Sequence, residues 1–470
     1  MNKLMLVYPN QKWQKNDNTT WNLNPATLCL LAAMVKEYVE VKIIDAQFYD
    51  LSKKEFLEEL QEFNPDYVGI SSLTSEYGEI LHITSNLIKE FNQNIITIAG
   101  GIHPTIEYRK VVEDNNINYI VRGEGEYTLK NLILYLNGAS DLPTEGLVYK
   151  IGDELIIQDH VLTKDIANLP WPDYNYIKLE DYIYTGPRVG PLRAPEYPYM
   201  RLMVTRGCPV GCSFCQVETI SGRQVRARDP EDVVAELLYY KEKYGIKSLI
   251  FDDDNMMANK KFFYSMLEIM IEKKLELKFI IEAFAIFTLT DKMLDLLKRA
   301  GCVGVNIAVE SGNERVLKEV VLKPVKLHSV AKKVNQIQQA DMFVLANFII
   351  GFPGETWAEI RETISFAESC GADYVKIFVA LPLKGTKLWN IASKLKVLAV
   401  SEDKMQVDWR YSQIKSDEWT TKDISILRAY EWDRINFATP EKIQKMSELW
   451  GVSIEELNKI RKETRDSLQF

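Results

Sequence analysis

Three cysteines stand close together in Arg206-Gly-Cys-Pro-Val-Gly-Cys-Ser-Phe-Cys215, spaced C-x3-C-x2-C (Cys208, Cys212 and Cys215). Three thiolates on one short loop suit three irons of a [4Fe–4S] cluster and leave the fourth iron open to a ligand from outside the protein. A structural zinc site would call for a fourth Cys or His nearby, and none lies between Tyr199 and Arg228. A disulfide framework belongs to small secreted domains, and this 470-residue chain carries no signal-peptide pattern. Cys29, Cys302 and Cys370 are scattered on apolar stretches and read as small buried hydrophobes.

Other chemistry-bearing residues follow apolar runs. Asp252-Asp-Asp-Asn255 offers three consecutive acids, suited to a cationic ligand group or a divalent ion. Glu310-Ser311-Gly312 and Asn347-Phe-Ile-Ile-Gly-Phe-Pro-Gly-Glu355 end two further runs, and Pro353-Gly354-Glu355 also reads as a helix start. Arg223, Arg226 and Arg228 are either a partner for a carboxylate or a solvated basic strand.

The elements that must position these groups fall into four stretches: 1–140, a linker 141–198, 199–400, and a helical region 401–470. In the first, Leu4–Tyr8, Val41–Ile44, Tyr67–Ser71, Ile95–Ala99 and Tyr119–Val121 read as strands. Helical patterns over Pro25–Tyr38, Lys53–Phe63, Tyr77–Phe91 and Glu126–Leu136 alternate with them. That alternation predicts a doubly wound α/β (Rossmann-like) sheet, which binds ligands at its strand C-termini. Ser71, Ser72 and Thr74 supply hydroxyls after the third strand, Gly100-Gly101 follows the fourth, and Gly123 and Glu124 follow the fifth. The linker is rich in Pro and Tyr and includes Leu169-Pro-Trp-Pro-Asp173. From Tyr199 six strand–helix units follow, with Asp229-Pro-Glu-Asp232 a capped helix start and Gly245 and Gly301 helix stops. By barrel logic their strand ends carry the chemistry. Beyond residue 400 the helices carry apolar stripes that read as core. No apolar run approaches a membrane span, and a net charge of −9 argues against a nucleic-acid partner. The expected localisation is cytoplasmic.

The cysteine loop, with this domain order, resembles that of the class B radical S-adenosylmethionine (SAM) enzymes, which carry a cobalamin-binding domain before a partial (β/α)6 TIM-like barrel. The resemblance implies that Cys208, Cys212 and Cys215 hold the cluster and that SAM chelates the open iron. It implies SAM contacts from Phe214, Asp252 or Asp253, Glu310, Ser311 and the backbone at Ile350, Gly351 and Phe352. It implies cobalamin contacts from Ser71, Ser72, Thr74, Gly100, Gly101, Gly123 and Glu124. The Asp-x-His-x-x-Gly motif that supplies a lower cobalt ligand after the first strand in many corrinoid proteins is absent: the loop Pro9–Asn24 has no His, and the faintly similar Asp45-Ala-Gln-Phe-Tyr-Asp50 follows the second strand and has Gln where His would stand. His103 reads as a local loop residue. The implied activity is methylation of an unactivated carbon of a small-molecule substrate. One SAM methylates cobalt, a second yields the 5′-deoxyadenosyl radical, and an external flavodoxin- or ferredoxin-type donor supplies electrons. The alternatives are a non-methylating radical SAM enzyme (dehydratase, cyclase, epimerase or decarboxylase) and a corrinoid carrier without catalysis of its own.

Overall fold

The computed structural model describes residues 1–14, 23–72, 78–185, 194–401, 405 and 408–467. The chain divides into two compact units, Met1–Val189 and Gly190–Phe470.

The first unit is built on one sheet. Its strands are β1 (Lys3–Tyr8), β2 (Glu40–Asp45), β3 (Tyr67–Ser71), β4 (Ile96–Gly100), β5 (Tyr119–Val121), β6 (Leu147–Ile151) and β7 (Glu154–Ile157). They run in the order β2-β1-β3-β4-β5-β6-β7. β1 to β5 are parallel, and β6 and β7 add antiparallel. The direction of winding reverses between β1 and β3, so a crevice opens outside their carboxyl ends. The hairpin β6–β7 lies in the stretch read from sequence as a linker. Its alternation is short, and antiparallel pairing to β5 gives it a place that sequence period alone does not reveal.

Helix 53–63 shows why the helices form where they do. Ser52 and Glu55 make a reciprocal capping box, and Asn64 ends the helix in the left-handed conformation at φ +47°. Phe56, Leu60 and Phe63 are buried on one stripe against Val68 and Ile70 of β3. The Pro-rich stretch folds back within this unit. Asp173 pairs with Lys36 at 2.8 Å, and its N–H donates to the Cys29 carbonyl.

The second unit carries β8 (Tyr199–Leu202), β9 (Thr205–Arg206), β10 (Arg226–Ala227), β11 (Ser248–Phe251), β12 (Lys278–Phe284), β13 (Cys302–Glu310), β14 (Phe343–Ile350) and β15 (Tyr374–Val379). Six of them form one all-parallel sheet in the order β15-β14-β13-β12-β11-β8; β9 and β10 pair separately. The order follows the chain, so right-handed crossovers put every connecting helix on one face. The sheet is open, with β8 and β15 at its edges. Helix 421–437 covers β15, where Asn436 accepts from the Val375 N–H and donates to its C=O, both at 2.8 Å. This satisfies the edge as a seventh strand would. Cys29, Cys302 and Cys370 are buried and unbridged.

Candidate cluster loop and cofactor sites

The cysteine loop is held from several sides. Gly207 and Gly211 take φ +98° and +71°. A Cβ on Gly207 would lie 2.4 Å from the Gln224 carbonyl oxygen, so only glycine fits there. The Cys208 N–H donates to the Gly222 carbonyl and the Ser213 N–H to the Val321 carbonyl, at 3.1 and 3.0 Å. Val321 closes a π-helical turn, Val316–Val321, a form frequent at functional sites. The Asn255 amide lies 3.6 Å from the Cys208 sulfur, and the Val217 N–H lies 3.5 Å from that of Cys215. Burial pushes the Cys212 and Cys215 thiols up to about 12 and about 11, and a bound cation would favour their thiolates. The donor set therefore fits a bound iron cluster: three unbridged thiols, two sulfur-directed N–H groups and a nearby ammonium, Lys323.

Lys323 was not singled out by the sequence reading. Its amine pairs with Glu310 at 2.7 Å. Burial alone would depress it; the Glu310 carboxylate overrides that and holds it above its ordinary value. Glu310 sits at φ +73°, a conformation disfavoured for a side-chain-bearing residue, at the end of β13. The Ser311 hydroxyl lies 3.0 Å from that of Thr363 and accepts from the Asn313 N–H at 3.1 Å, so it braces the turn.

The three acids after β11 part company, which removes the divalent-ion reading of the run. Asp252 grips Arg201 in a two-pronged ion pair, with Nε donating at 2.6 Å. Asp253 accepts from the N–H groups of Val204 and Thr205 and from the Thr205 hydroxyl, all on Oδ1, while its buried Oδ2 has no partner among the described residues. Burial pushes it up to about 7. Asp254 accepts from the Gly207 N–H at 2.9 Å. Carboxylates at one strand end thus hold the chain that leads into the cluster loop.

Phe214 and Phe352 face each other with ring centroids 6.2 Å apart. Ile350 and Phe352 are buried, and Gly351 takes φ +83° against Ile424. Glu355 folds back to accept from the N–H groups of Gly351 and Phe352 at 2.7 and 2.9 Å, a structural role. Of the three arginines, Arg228 is locked to Asp232 and Glu236, Arg226 donates to the Ser221 carbonyl, and Arg223 donates to that of Pro209.

In the first unit the expected cofactor residues separate into two groups. Ser71, Ser72 and Gly100 lie side by side at the ends of β3 and β4; the Ser72 N–H donates to the Gly100 carbonyl at 2.9 Å, and a Cβ on Gly100 would meet nothing within 4 Å among the described residues. That open strand end fits the close approach of a flat group. Gly101 packs on Ser72, where a Cβ would lie 2.4 Å from its carbonyl oxygen. Gly123 and Glu124 are turned to the chain itself: Gly123 packs on His160 and Val161, and Glu124 accepts from the Thr163 N–H at 2.6 Å. Thr74 lies outside the described residues. Gln47 accepts from the Gln11 N–H at 2.9 Å, and the His103 ring packs against Gly78. Burial pushes Asp45, beside the Tyr182 hydroxyl, up to about 6.

Residues 202–367 match the family model of the radical SAM superfamily, and residues 21–133 match that of the B12 binding domain. An "uncharacterized methyltransferase" of Pyrococcus horikoshii is 30% identical over 411 residues, covering 86% of this chain and 85% of that one. The chain belongs to the cobalamin-binding-domain class of radical SAM enzymes. Cytidylyl-2-hydroxyethylphosphonate methyltransferase of Streptomyces wedmorensis is 27% identical over 443 residues, covering 82% of this chain and 80% of that one. The fold also matches the radical SAM methyltransferase TsrM of Kitasatospora setae, solved with cobalamin and a [4Fe–4S] cluster, at TM-score 0.68 and 18% identity over 86% of this chain and 76% of that one. For a class B radical SAM enzyme the cofactors are a [4Fe–4S] cluster, SAM and cobalamin, and among the described residues no helix is long and apolar enough to cross a membrane.

Proposed function

We propose that this enzyme methylates an unactivated carbon of a small-molecule substrate, with cobalamin as methyl carrier. The observation that carries the reading is the pairing, in one chain, of the three-cysteine loop with an N-terminal sheet whose strand end is open at Gly100 among the described residues. The names of both relatives point the same way. When bound, the cluster and SAM supply a 5′-deoxyadenosyl radical, and cobalamin supplies a transferable methyl group.

The residues of the chain bind, orient and shield. Cys208, Cys212 and Cys215 hold three irons. Asp253 keeps an unbonded Oδ2 for the SAM ammonium, whereas Asp252 is consumed by Arg201. Lys323, held by Glu310 near the cysteines, offers a cation for the SAM carboxylate. Phe214, Phe352 and the Gly351 backbone provide an apolar bed for the adenine. The loop Pro9–Asn24 after β1 has no histidine, so it would offer cobalamin no imidazole ligand. An external flavodoxin- or ferredoxin-type donor provides electrons, and the reading places the enzyme in the cytoplasm.

The test is the product ratio from SAM under reducing conditions. A methyltransferase of this kind forms S-adenosylhomocysteine alongside 5′-deoxyadenosine in equal amounts. 5′-Deoxyadenosine without S-adenosylhomocysteine would move the enzyme to the dehydratases, cyclases, epimerases or decarboxylases.

A further inference from the structure

The face of the second sheet opposite its helices is polar where barrels of this type are normally filled with Val, Ile and Leu. Each strand contributes one polar side chain to the same layer: Arg201 on β8, Asp252 just after β11, Glu282 on β12, Asn306 on β13, Asn347 on β14 and Lys376 on β15. The register puts them on neighbouring rungs: Arg201 pairs with Ile250, two residues before Asp252; Asn347 pairs with Ala308, two residues after Asn306, and with Lys376. Both Glu282 and Arg201 act on the charge of the Lys376 amine.

The partners within this layer are few. Arg201 and Asp252 satisfy each other. The Asn306 amide donates to Glu282 Oε2 at 3.2 Å. That leaves Glu282 Oε1, Asn306 Oδ1 and Asn347 Oδ1 buried with no hydrogen-bond partner among the described residues. Among the described residues no carboxylate lies within ion-pair distance of the Lys376 ammonium. Burial pulls that amine down to about 8, against the opposing influence of Glu282. Three orphaned acceptors and an unpaired cation cost stability that an apolar layer would not. Such departures from packing logic are expected where a ligand completes the set.

We propose that this layer is the substrate-recognition subsite and that it takes a compact zwitterion, a free α-amino acid being the simplest. Lys376, with Asn347 beside it, receives the carboxylate. Glu282 Oε1 and Asn306 Oδ1 receive the ammonium group. The layer lies one step below the strand ends: the next residues after Asp252 are Asp253 and Asp254, which hold Thr205 and Gly207 next to the cluster loop. The assignment rests on the radical SAM reading of that loop, and it disfavours a planar tetrapyrrole or an apolar chain in this space.

The test is binding to the full-length reconstituted enzyme with SAM, read by saturation-transfer NMR against a mixture of the common L-amino acids. At least one amino acid should bind. Its analogue lacking the amino group and its analogue lacking the carboxylate should each bind about tenfold more weakly or worse, a comparison made on the unaltered protein. Lys376→Met and Glu282→Gln should each lose about tenfold, with Lys376→Arg recovering part, while iron content and SAM binding stay unchanged. No amino-acid binding, or binding that survives removal of either charged group, would overturn the assignment. The readout is binding, so absent methyl transfer with intact amino-acid binding would count against the methylation reading alone. Formation of S-adenosylhomocysteine without amino-acid binding would count against the substrate class alone.

Discussion

Glu355 lets the loop after β14 be tested without any cofactor. Its side chain is 2% exposed, and one oxygen accepts both backbone N–H groups of Gly351 and Phe352. Burial pushes its carboxyl up to about 8. In the unfolded chain the same group ionises near its ordinary value of about 4.3. Between these limits the folded protein holds a proton that the unfolded chain has released, so this group's contribution to stability falls as pH rises, by about 1.4 kcal/mol per pH unit. It is fully present below the ordinary carboxylate range and gone once pH passes the folded value. From pH 5 to pH 8 the loss is on the order of 3–4 kcal/mol. Glu355→Gln keeps an acceptor for both N–H groups and cannot ionise. The variant should match the parent near pH 5 and exceed it by a few kcal/mol near pH 8, measured by anaerobic denaturant unfolding of the cluster-free protein. Buried Asp45 and Asp253 tilt both proteins alike, so the difference between them isolates Glu355. Parallel pH profiles for the two proteins would refute the assignment of a buried, protonated Glu355.

Three further outcomes follow. Gly207→Ala puts a Cβ 2.4 Å from the Gln224 carbonyl oxygen at a left-handed position; it should lower iron retention after reconstitution and cost about 2 kcal/mol or more. Asn436→Ala leaves the Val375 N–H and C=O on the β15 edge without partners and should cost about 2–4 kcal/mol in denaturant unfolding. Cys208→Ala, Cys212→Ala and Cys215→Ala should each abolish 5′-deoxyadenosine formation, scored by chromatography; activity retained in any of them would sink the cluster assignment.

Much of the fold was legible because its signals are local. Alternating strands and capped helices gave the parallel strands of both sheets, and Lys53–Phe63 and Tyr67–Ser71 coincide with the observed bounds. The cysteine loop was legible because spacing alone carries its chemistry. The hairpin β6–β7 was not, since its strands are stabilised by pairing with β5, far away in sequence. Lys323 escaped notice because its role depends on a π-helical turn bringing it to Glu310. The polar layer did leave a signal that went unread: KFIIEAF, CVGVNIAVE, FVLANFII and YVKIFV each interrupt an apolar strand with a polar residue at an inward position. The glycines divide in the same way. Sequence marks Gly100 and Gly123 alike, but only the folded chain shows that Gly100 is open and that Gly123 is filled by His160 and Val161.

The central claim is most directly tested by anaerobic reconstitution with iron, sulfide and hydroxocobalamin, followed by desalting, corrinoid absorption and an EPR spectrum of the Co(II) form. The account predicts stoichiometric retained cobalamin, with no nitrogen superhyperfine splitting from a lower ligand, because the loop Pro9–Asn24 after β1 contains no histidine. A protein that keeps its cluster and cleaves SAM but retains no cobalamin would contradict it.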